Sequence, residues 1–406
     1  PNGAIIWQKS FDDSWDQKFG NNVGLDSSGN VYLIIYNSNS SYTQSSTDLV
    51  KINGTDGSVV WQNELTSANA SNVIATNLVI DGYSNIYTQG WTSDDGGGSG
   101  NMLLAKFDSS GSLQWSKTLG GTGLHFDYGQ GVGRDSSNNI YVLLNHSGGA
   151  VIAKYNPSGV VQWQRLVNAS TLTGKAIAVG PTSGFVYSIH SGYSGNMHQV
   201  LVCHNGSGSL LWQTELSTTN DGALQGWAVT VSADGYVYVT GQSDTKNLFI
   251  AKYDEGGAIQ WVRSLGTSSP EGQDWNGNNQ GIVIHTNVYA VNGYTYYPNS
   301  SSPGNALLAQ LPTDGTGTDM SGAWAYTDPG YSSTTTSYTS TSISLNSADT
   351  TNFTVNTGTA TVSTLSYTRA IEWSSSIGGG GGGGGLATWT LGSGLVFPDN
   401  TVQTTA

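Results

Sequence analysis

Two short phrases recur along this chain at near-constant distance, and they constrain the fold more than any single residue does. The first is a polar turn followed by an aromatic strand, as in Asp26 to Tyr32, Asp81 to Tyr87, Asp135 to Tyr141, Pro181 to Tyr187, Ser232 to Tyr238 and Val283 to Tyr289. The second is Gly-x-x-x-Trp, at Gly3 to Trp7, Gly57 to Trp61, Gly111 to Trp115, Gly159 to Trp163, Gly208 to Trp212 and Gly257 to Trp261. The tyrosines are 55, 54, 46, 51 and 51 residues apart and the tryptophans 54, 54, 48, 49 and 49. A period near 50 residues identifies a repeat architecture whose units bury their apolar faces against one another.

Within a unit, strands are expected around Val23 to Leu25, Val31 to Tyr36, Leu49 to Ile52 and Ser58 to Gln62, bounded by Gly, Asn, Asp and Ser. Four short antiparallel strands per repeat make a propeller blade. The sixth unit has its Tyr289 strand and an apolar run at Ala306 to Leu311, yet no tryptophan follows Asp314 to Thr318. Ala4 to Gln8 precedes the first complete turn, so it is expected to supply that strand and close a ring. The expected fold is all-β: a six-bladed β-propeller over residues 1–318, closed by the N-terminal strand. The recurring Asp, Gly, Asn, Tyr and Trp fit turn chemistry and packing between blades. One carboxylate per turn falls short of a calcium site.

The runs from Gly123 to Tyr141 and from Leu103 to Trp115 resemble the SBBP-type β-propeller repeat of bacterial and phage surface proteins. The resemblance covers about three quarters of the chain; it implies the fold and carries no shared catalytic motif. The later copies depart from it, with Pro181, Ser232 and Val283 in place of the turn-opening Asp.

Charged residues make up only 10% of the chain and the net charge is −14. Thirteen Lys and Arg in 406 residues cannot build a phosphate-neutralising surface, so nucleic acid is not an expected partner. No apolar stretch is long enough to span a bilayer, so membrane insertion is not expected either. The single Cys203 lies in an apolar run and reads as a buried thiol. The chain begins at Pro1 rather than Met, which reads as a processed product or a piece of something longer.

Beyond residue 318 the pattern changes. Residues 319–377 form a Ser/Thr-rich region with candidate strands at Phe353 to Val355, Ala360 to Val362 and Leu365 to Tyr367. Its apolar content is too small for a core of its own, so a β or extended stalk is expected, with an intertwined homotrimer as one way to build it. Residues 378–385 are eight consecutive glycines, read as a linker. Residues 386–406 form a C-terminal attachment segment, in which Leu395 to Ala406 resembles a short element of phage tail-fibre and other virion proteins, with Asn400 at the turn. That resemblance implies a virion surface or extracellular location and contacts with other virion proteins.

No catalytic constellation can be assembled. The six histidines are not spaced with acidic or cysteine partners as metal ligands are, so no metal, no cofactor and no enzymatic activity are expected. The long connections, at Asn37 to Ser46, Trp91 to Asn101, His190 to Gln199, Asn292 to Asn305 and between units, should share one face of the disc. The candidate ligand-binding residues on that face are Trp15, Trp91, His125, Asp127, Tyr193, Trp275, Tyr294 and Tyr296. Aromatic rings beside amides and hydroxyls suit a host cell-surface glycan or protein. The sequence thus points to a tail-fibre-like virion fibre or spike for host attachment. The alternatives are a structural capsid decoration or secreted lattice protein without ligand, and a surface polysaccharide hydrolase, whose paired carboxylates would come from the same loops.

Overall fold

The computed structural model describes most of residues 6–316 and short strands between 325 and 403; the main segments outside the description are 1–5, 94–99, 121–129, 169–171, 218–223, 244–247, 267–280, 285–287, 296–304, 317–324 and 365–394. After β1 (Lys9–Asp12), the first sheet consists of β2 (Gln17–Leu25), β3 (Val31–Ser38), β4 (Ser45–Ile52) and β5 (Val59–Ser67). The second holds β6 (Val73–Ile80), β7 (Ile86–Thr92), β8 (Asn101–Phe107) and β9 (Leu113–Gly120), and the third β10 (Gly131–Arg134), β11 (Ile140–His146), β12 (Gly149–Tyr155) and β13 (Val161–Asn168). The fourth comprises β14 (Leu172–Val179), β15 (Val186–Ser194), β16 (Asn196–His204) and β17 (Leu210–Ser217), and the fifth β18 (Leu224–Val231), β19 (Val237–Ser243), β20 (Leu248–Tyr253) and β21 (Ile259–Gly266). A sixth sheet contains β22 (Gly281–Ile284), β23 (Val288–Thr295) and β24 (Asn305–Leu311). In every sheet consecutive strands are antiparallel neighbours.

Alternation along the strands buries both faces of each blade, so the apolar cores lie between blades. Leu103, Ala105 and Phe107 of β8 face back onto Tyr32, Ile34, Leu49 and Leu65 of the first blade. Met102 and Leu104, one residue out of phase, face forward onto Val142, Val151 and Tyr155 of the third. The same division recurs between the third and fourth blades and between the fourth and fifth. The first strands of successive blades also touch: Asn21 Nδ2 donates to the Ala75 carbonyl at 3.1 Å and Arg134 Nε to the Ile80 carbonyl at 2.8 Å.

The two recurring phrases form one joint. Asp26 Oδ1 accepts the amides of Ser28 and Asn30 at 3.0 and 2.9 Å, and Oδ2 accepts Asn30 Nδ2 at 2.9 Å and the Tyr32 hydroxyl at 3.1 Å. Asp81 and Asp135 repeat the pattern with Asn85 and Tyr87, and with Asn139 and Tyr141. These donors engage both oxygens of each carboxylate. Burial disfavours the Asp26 and Asp135 anions, but these hydrogen bonds outweigh it and hold both below the usual carboxylate range. Tyrosine and tryptophan rings of one blade then meet at 5.9 to 6.0 Å, as in Tyr32 with Trp61 and Tyr141 with Trp163.

Each tryptophan reaches into the following blade. Trp61 Nε1 donates to the Ser109 carbonyl at 3.2 Å, Trp115 to Pro157 at 3.3 Å, Trp163 to Gly206 at 3.1 Å, Trp212 to Glu255 at 2.9 Å and Trp261 to Thr313 at 3.2 Å. The rings of Trp61, Trp115, Trp163 and Trp212 cover the glycine of the next Gly-x-x-x-Trp phrase, and that of Trp261 covers Gly315. Gly257 has φ +86° and a Cβ there would lie 2.8 Å from the Trp212 ring. A left-handed backbone under a flat ring admits glycine and little else. A bulge before each tryptophan, between Lys51 and Ile52 and at the same place in the next four blades, sets its direction.

The fourth blade departs in a coupled way. Where the first and third blades pair lysine with the turn aspartate, Lys51 with Asp26 at 3.9 Å and Lys154 with Asp135 at 3.7 Å, this blade has Cys203 opposite Trp212 and no turn aspartate. Losing the anion and the cation together leaves neither charge buried alone. Cys203 is fully buried, and burial pushes its thiol up to about 12, so it stays protonated at neutral pH. His190 is also fully buried, with Nε2 2.8 Å from Ser188 Oγ; burial, then repulsion from His204, brings it down to about 3.

The tail differs from a free-standing stalk. β25 (Ala325–Thr327), β26 (Ser332–Thr335), β27 (Thr339–Ser342), β28 (Asn346–Asp349) and β29 (Phe353–Thr357) add a fifth strand to β21, β17, β13, β9 and β5, and β30 (Thr361–Thr364) pairs with β1. Strands without a core of their own thus take partners from the blades. Of the three tail strands expected from the sequence, Phe353 to Val355 falls within β29, Ala360 to Val362 overlaps β30, and Leu365 to Tyr367 lies outside the described residues. So do the polyglycine run and most of 386–406, where β31 (Leu395–Val396) pairs with β32 (Val402–Gln403).

Two outcomes follow. Trp212→Ala and Gly257→Ala should each cost about 2 kcal/mol, since one removes a half-buried ring and the other forces a side chain into a left-handed site beneath it; the double variant should cost less than the sum, read from urea midpoints by circular dichroism. Because the unfolded chain protonates its histidines near pH 6.5 while folded His190 resists to about 3, stability should fall as pH drops through that window. An acid titration of the urea midpoint that stays flat from pH 6.5 to about 4 would contradict the burial.

Candidate functional site

Antiparallel order puts the two recurring turns of a blade at one end and the other connections, which vary in length, at the opposite end. The short-turn end is consumed by the Asp, Tyr and Trp joints. The opposite end of the first blade is different: a hydrogen-bonded line crosses all four of its strands. Lys18 Nζ donates to Asn37 Oδ1 at 2.9 Å, Asn37 Nδ2 to Ser46 Oγ at 3.3 Å, and Ser46 Oγ to Glu64 Oε1 at 2.6 Å. Trp15 Nε1 donates to the same Glu64 oxygen at 3.1 Å, which fixes the half-buried indole at the end of the blade.

Exposed rings lie at the same blade end, one residue along in the β2–β3 register and so on the other face of the sheet. Phe19 stacks on Tyr36 with centroids 5.7 Å apart and planes 20° apart, and Phe19 is 44% exposed. Tyr42 is 56% exposed, and its hydroxyl donates to Gln17 Oε1. It sits in the turn from Asn39 to Gln44 at φ +55°, a conformation a bulky side chain rarely adopts. Asn39 maintains that turn, its Oδ1 accepting the Thr43 amide at 2.9 Å, while Asp16 Oδ2 accepts the Ser40 amide at 2.8 Å. Aromatic faces beside a carboxylate and side-chain amides are what a hydroxyl-rich ligand needs: apolar ring surface to stack on, and directional polar groups around it.

The candidates named from the sequence divide accordingly. Trp15 belongs to this cluster, and Trp91 is half-buried in β7 between Ile74 and Met102 of the flanking strands, at the equivalent end of the second blade. Ser45 Oγ donates to Asn72 Oδ1 at 3.0 Å and joins these two ends. Tyr193 and Tyr294 are strand residues of β15 and β23. The His190 to Gln199 connection, expected as a long loop, is instead a tight hairpin in which Tyr193 pairs with Met197 and Ser194 with Asn196. Extended pairing satisfies that backbone where a loop would leave it to water. His125, Asp127, Trp275 and Tyr296 lie outside the described residues. Phe19, Tyr36 and Tyr42 are additions; an aromatic residue inside the Asn/Ser-rich stretch 37–44 is the sequence signal that would have flagged Tyr42.

Glu64→Gln and Trp15→Ala separate support from contact. Glu64→Gln keeps an acceptor for the indole and should leave the fold intact, while Trp15→Ala should cost about 2 kcal/mol for a half-buried ring. Acrylamide quenching of tryptophan fluorescence should stay at the native level in Glu64→Gln, whose amide oxygen still accepts the indole N–H, and should rise in Glu64→Ala, which removes that acceptor; equal quenching in the two variants would mean that Glu64 does not hold the indole in place.

The repeat geometry agrees with one family comparison. Residues 1–184 match the PQQ_2 family, described as outer membrane protein assembly factor BamB. No curated protein matches the chain. Among solved structures, the WD40 domain of Toxoplasma gondii coronin aligns at TM-score 0.42 and 10% identity, over 76% of this chain and 78% of that one. The β-propeller domain of the Trilobed protease from Pyrococcus furiosus aligns at TM-score 0.34 and 9% identity, over 74% and 98%. With sheets of four consecutive antiparallel strands, packed face to face at a 50-residue period, the chain is a β-propeller repeat protein.

Proposed function

We propose that this chain is the propeller head of a virion surface fibre or spike, and that it binds a host cell-surface glycan through the loop end of its first blade without cleaving it. The observation that carries the binding reading is the exposed pair Phe19 and Tyr42, at the blade end that the Trp15, Glu64, Ser46 and Asn37 network holds together. Backbone strain under an exposed ring, as at Tyr42, is tolerated where the ring has work to do. The virion setting rests on the resemblance of residues 395–406 to tail-fibre elements, through which the head would join other virion proteins.

In this reading the head is a ring of six blades whose seam lies between the sixth sheet and the first. Trp7 behaves as the tryptophan of a preceding blade: its Nε1 donates to the Gly54 carbonyl at 2.8 Å, and its ring covers Gly57 as Trp261 covers Gly315. Residues 1–5 and Gln8 of the expected closing strand lie outside the described residues. Val23 and Leu25 are 62% and 66% exposed on β2, whereas Leu78 and Ile80, their equivalents in the second blade, pack against Gly24. A sixth blade seated against β2 would bury that apolar pair.

The test is binding of the full chain to an array of bacterial surface polysaccharides, followed by titration of any hit. Phe19→Ala with Tyr42→Ala should weaken the affinity at least tenfold, about 1.4 kcal/mol, while leaving the circular dichroism spectrum unchanged. Equal binding by the variant would remove this site; release of reducing sugar from the bound polysaccharide would replace the reading with a hydrolase.

A further inference from the structure

The tail pairs with the blades in reverse order. As the chain runs from 325 to 364 it visits the fifth, fourth, third, second and first blades and then β1. The tail strands begin at residues 325, 332, 339, 346, 353 and 361, so each move to the next sheet consumes seven residues, and the last consumes eight. Seven residues extend to about 24 Å at most. That allows a strand of about four residues and a short connector with little slack, so the step length is matched to one blade. A free stalk would have no reason to keep that step.

We propose that the outer rim of the blades is a strand-accepting surface whose partner is this chain's own residues 325–364, which act as a belt locking the ring across its seam. The first strands of the blades touch one another, and the belt lies on the opposite edge of each sheet, beyond β5, β9, β13, β17 and β21. Those edge strands are eight or nine residues long and would otherwise present unpaired backbone groups to other chains. Covering them with Ser- and Thr-rich strands satisfies backbone groups without creating a second apolar face, and threonine suits the extended geometry. The last belt strand holds β1, in register from Lys9 with Thr364 to Asp12 with Thr361. β1 follows Trp7 directly and so lies beside the seam. The belt therefore ties the N-terminal strand to the far end of the same chain through every intervening blade.

Order of assembly follows from the same geometry. Pairing β30 with β1 alone would close a loop of about 350 residues, whereas each belt step taken in sequence closes only a short one. The belt lays down blade by blade from the fifth and reaches β1 last.

Four double-cysteine variants of the full chain test the proposal. Ser10 and Ser363 are register partners, as are Ser217 and Ser332. Paired Cα positions fall within disulfide reach, and native Cys203 is buried away from oxidant. Under mild oxidation S10C/S363C and S217C/S332C should each form an intrachain disulfide in most molecules, found as the linked peptide in a chain of monomer mass under denaturing, non-reducing conditions. The exchanged pairs S10C/S332C and S217C/S363C should keep free thiols, and all four variants should give the circular dichroism spectrum of the native chain, which shows that each folds. Free thiols in the matched pairs, or equal linkage in matched and exchanged pairs, would overturn the belt. Linkage between two chains would overturn it as well, and would mean that the rim takes the tail of a neighbouring copy.

Discussion

Everything in this molecule depends on the joint between consecutive blades, where the indole of one repeat lies over a left-handed glycine of the next and donates to a carbonyl of the same turn. A single blade exposes two apolar faces and cannot stand alone. The joint fixes how far and at what angle the next blade sits, so that Met102 and Leu104 find the third blade while Leu103 and Ala105 find the first. The buried tyrosine behind each tryptophan supplies the other half of the wedge. In the first three blades its hydroxyl is tied to the turn carboxylate that shapes the short end of the blade.

This division of labour leaves the two ends of the blades with different chemical freedom. At the short-turn end the polar groups are committed to the joint. Burial first, and then the neighbouring carboxylate's charge, raises the phenols of Tyr32, Tyr87 and Tyr141 above the ordinary tyrosine range, so they stay neutral donors. At the other end the connections vary between repeats, and in the first blade they bring together the rings of Phe19, Tyr36 and Tyr42 and the side-chain amides of Asn37 and Asn39. A rigid repeat scaffold that carries a variable end is well suited to recognition. The belt adds a second use of the same regularity: equal blades accept equal steps of tail.

The same features explain which parts were legible beforehand. The period, the four strands per unit and the structural roles of Asp, Tyr, Gly and Trp were readable because turn chemistry and alternation act over a few residues. Trp15 could be singled out as an aromatic residue in a long connection. Phe19 and Tyr36 could not, because each looks like an ordinary strand residue until pairing places them in register at the blade end. The His190 to Gln199 segment misled for the converse reason: it contains Gly, Ser and Asn, yet two long strands pair through it to a tight turn.

The repeating unit was therefore written into the chain itself, since local backbone preferences and period-two alternation need no knowledge of distant partners. The role of the Ser- and Thr-rich tail emerged only in three dimensions. Its strands have too little apolar surface to declare a partner, and their pairing is specified by backbone hydrogen bonds, which every residue but proline carries alike. Register came from geometry, seven residues to a blade, and that match exists only once the blades are standing.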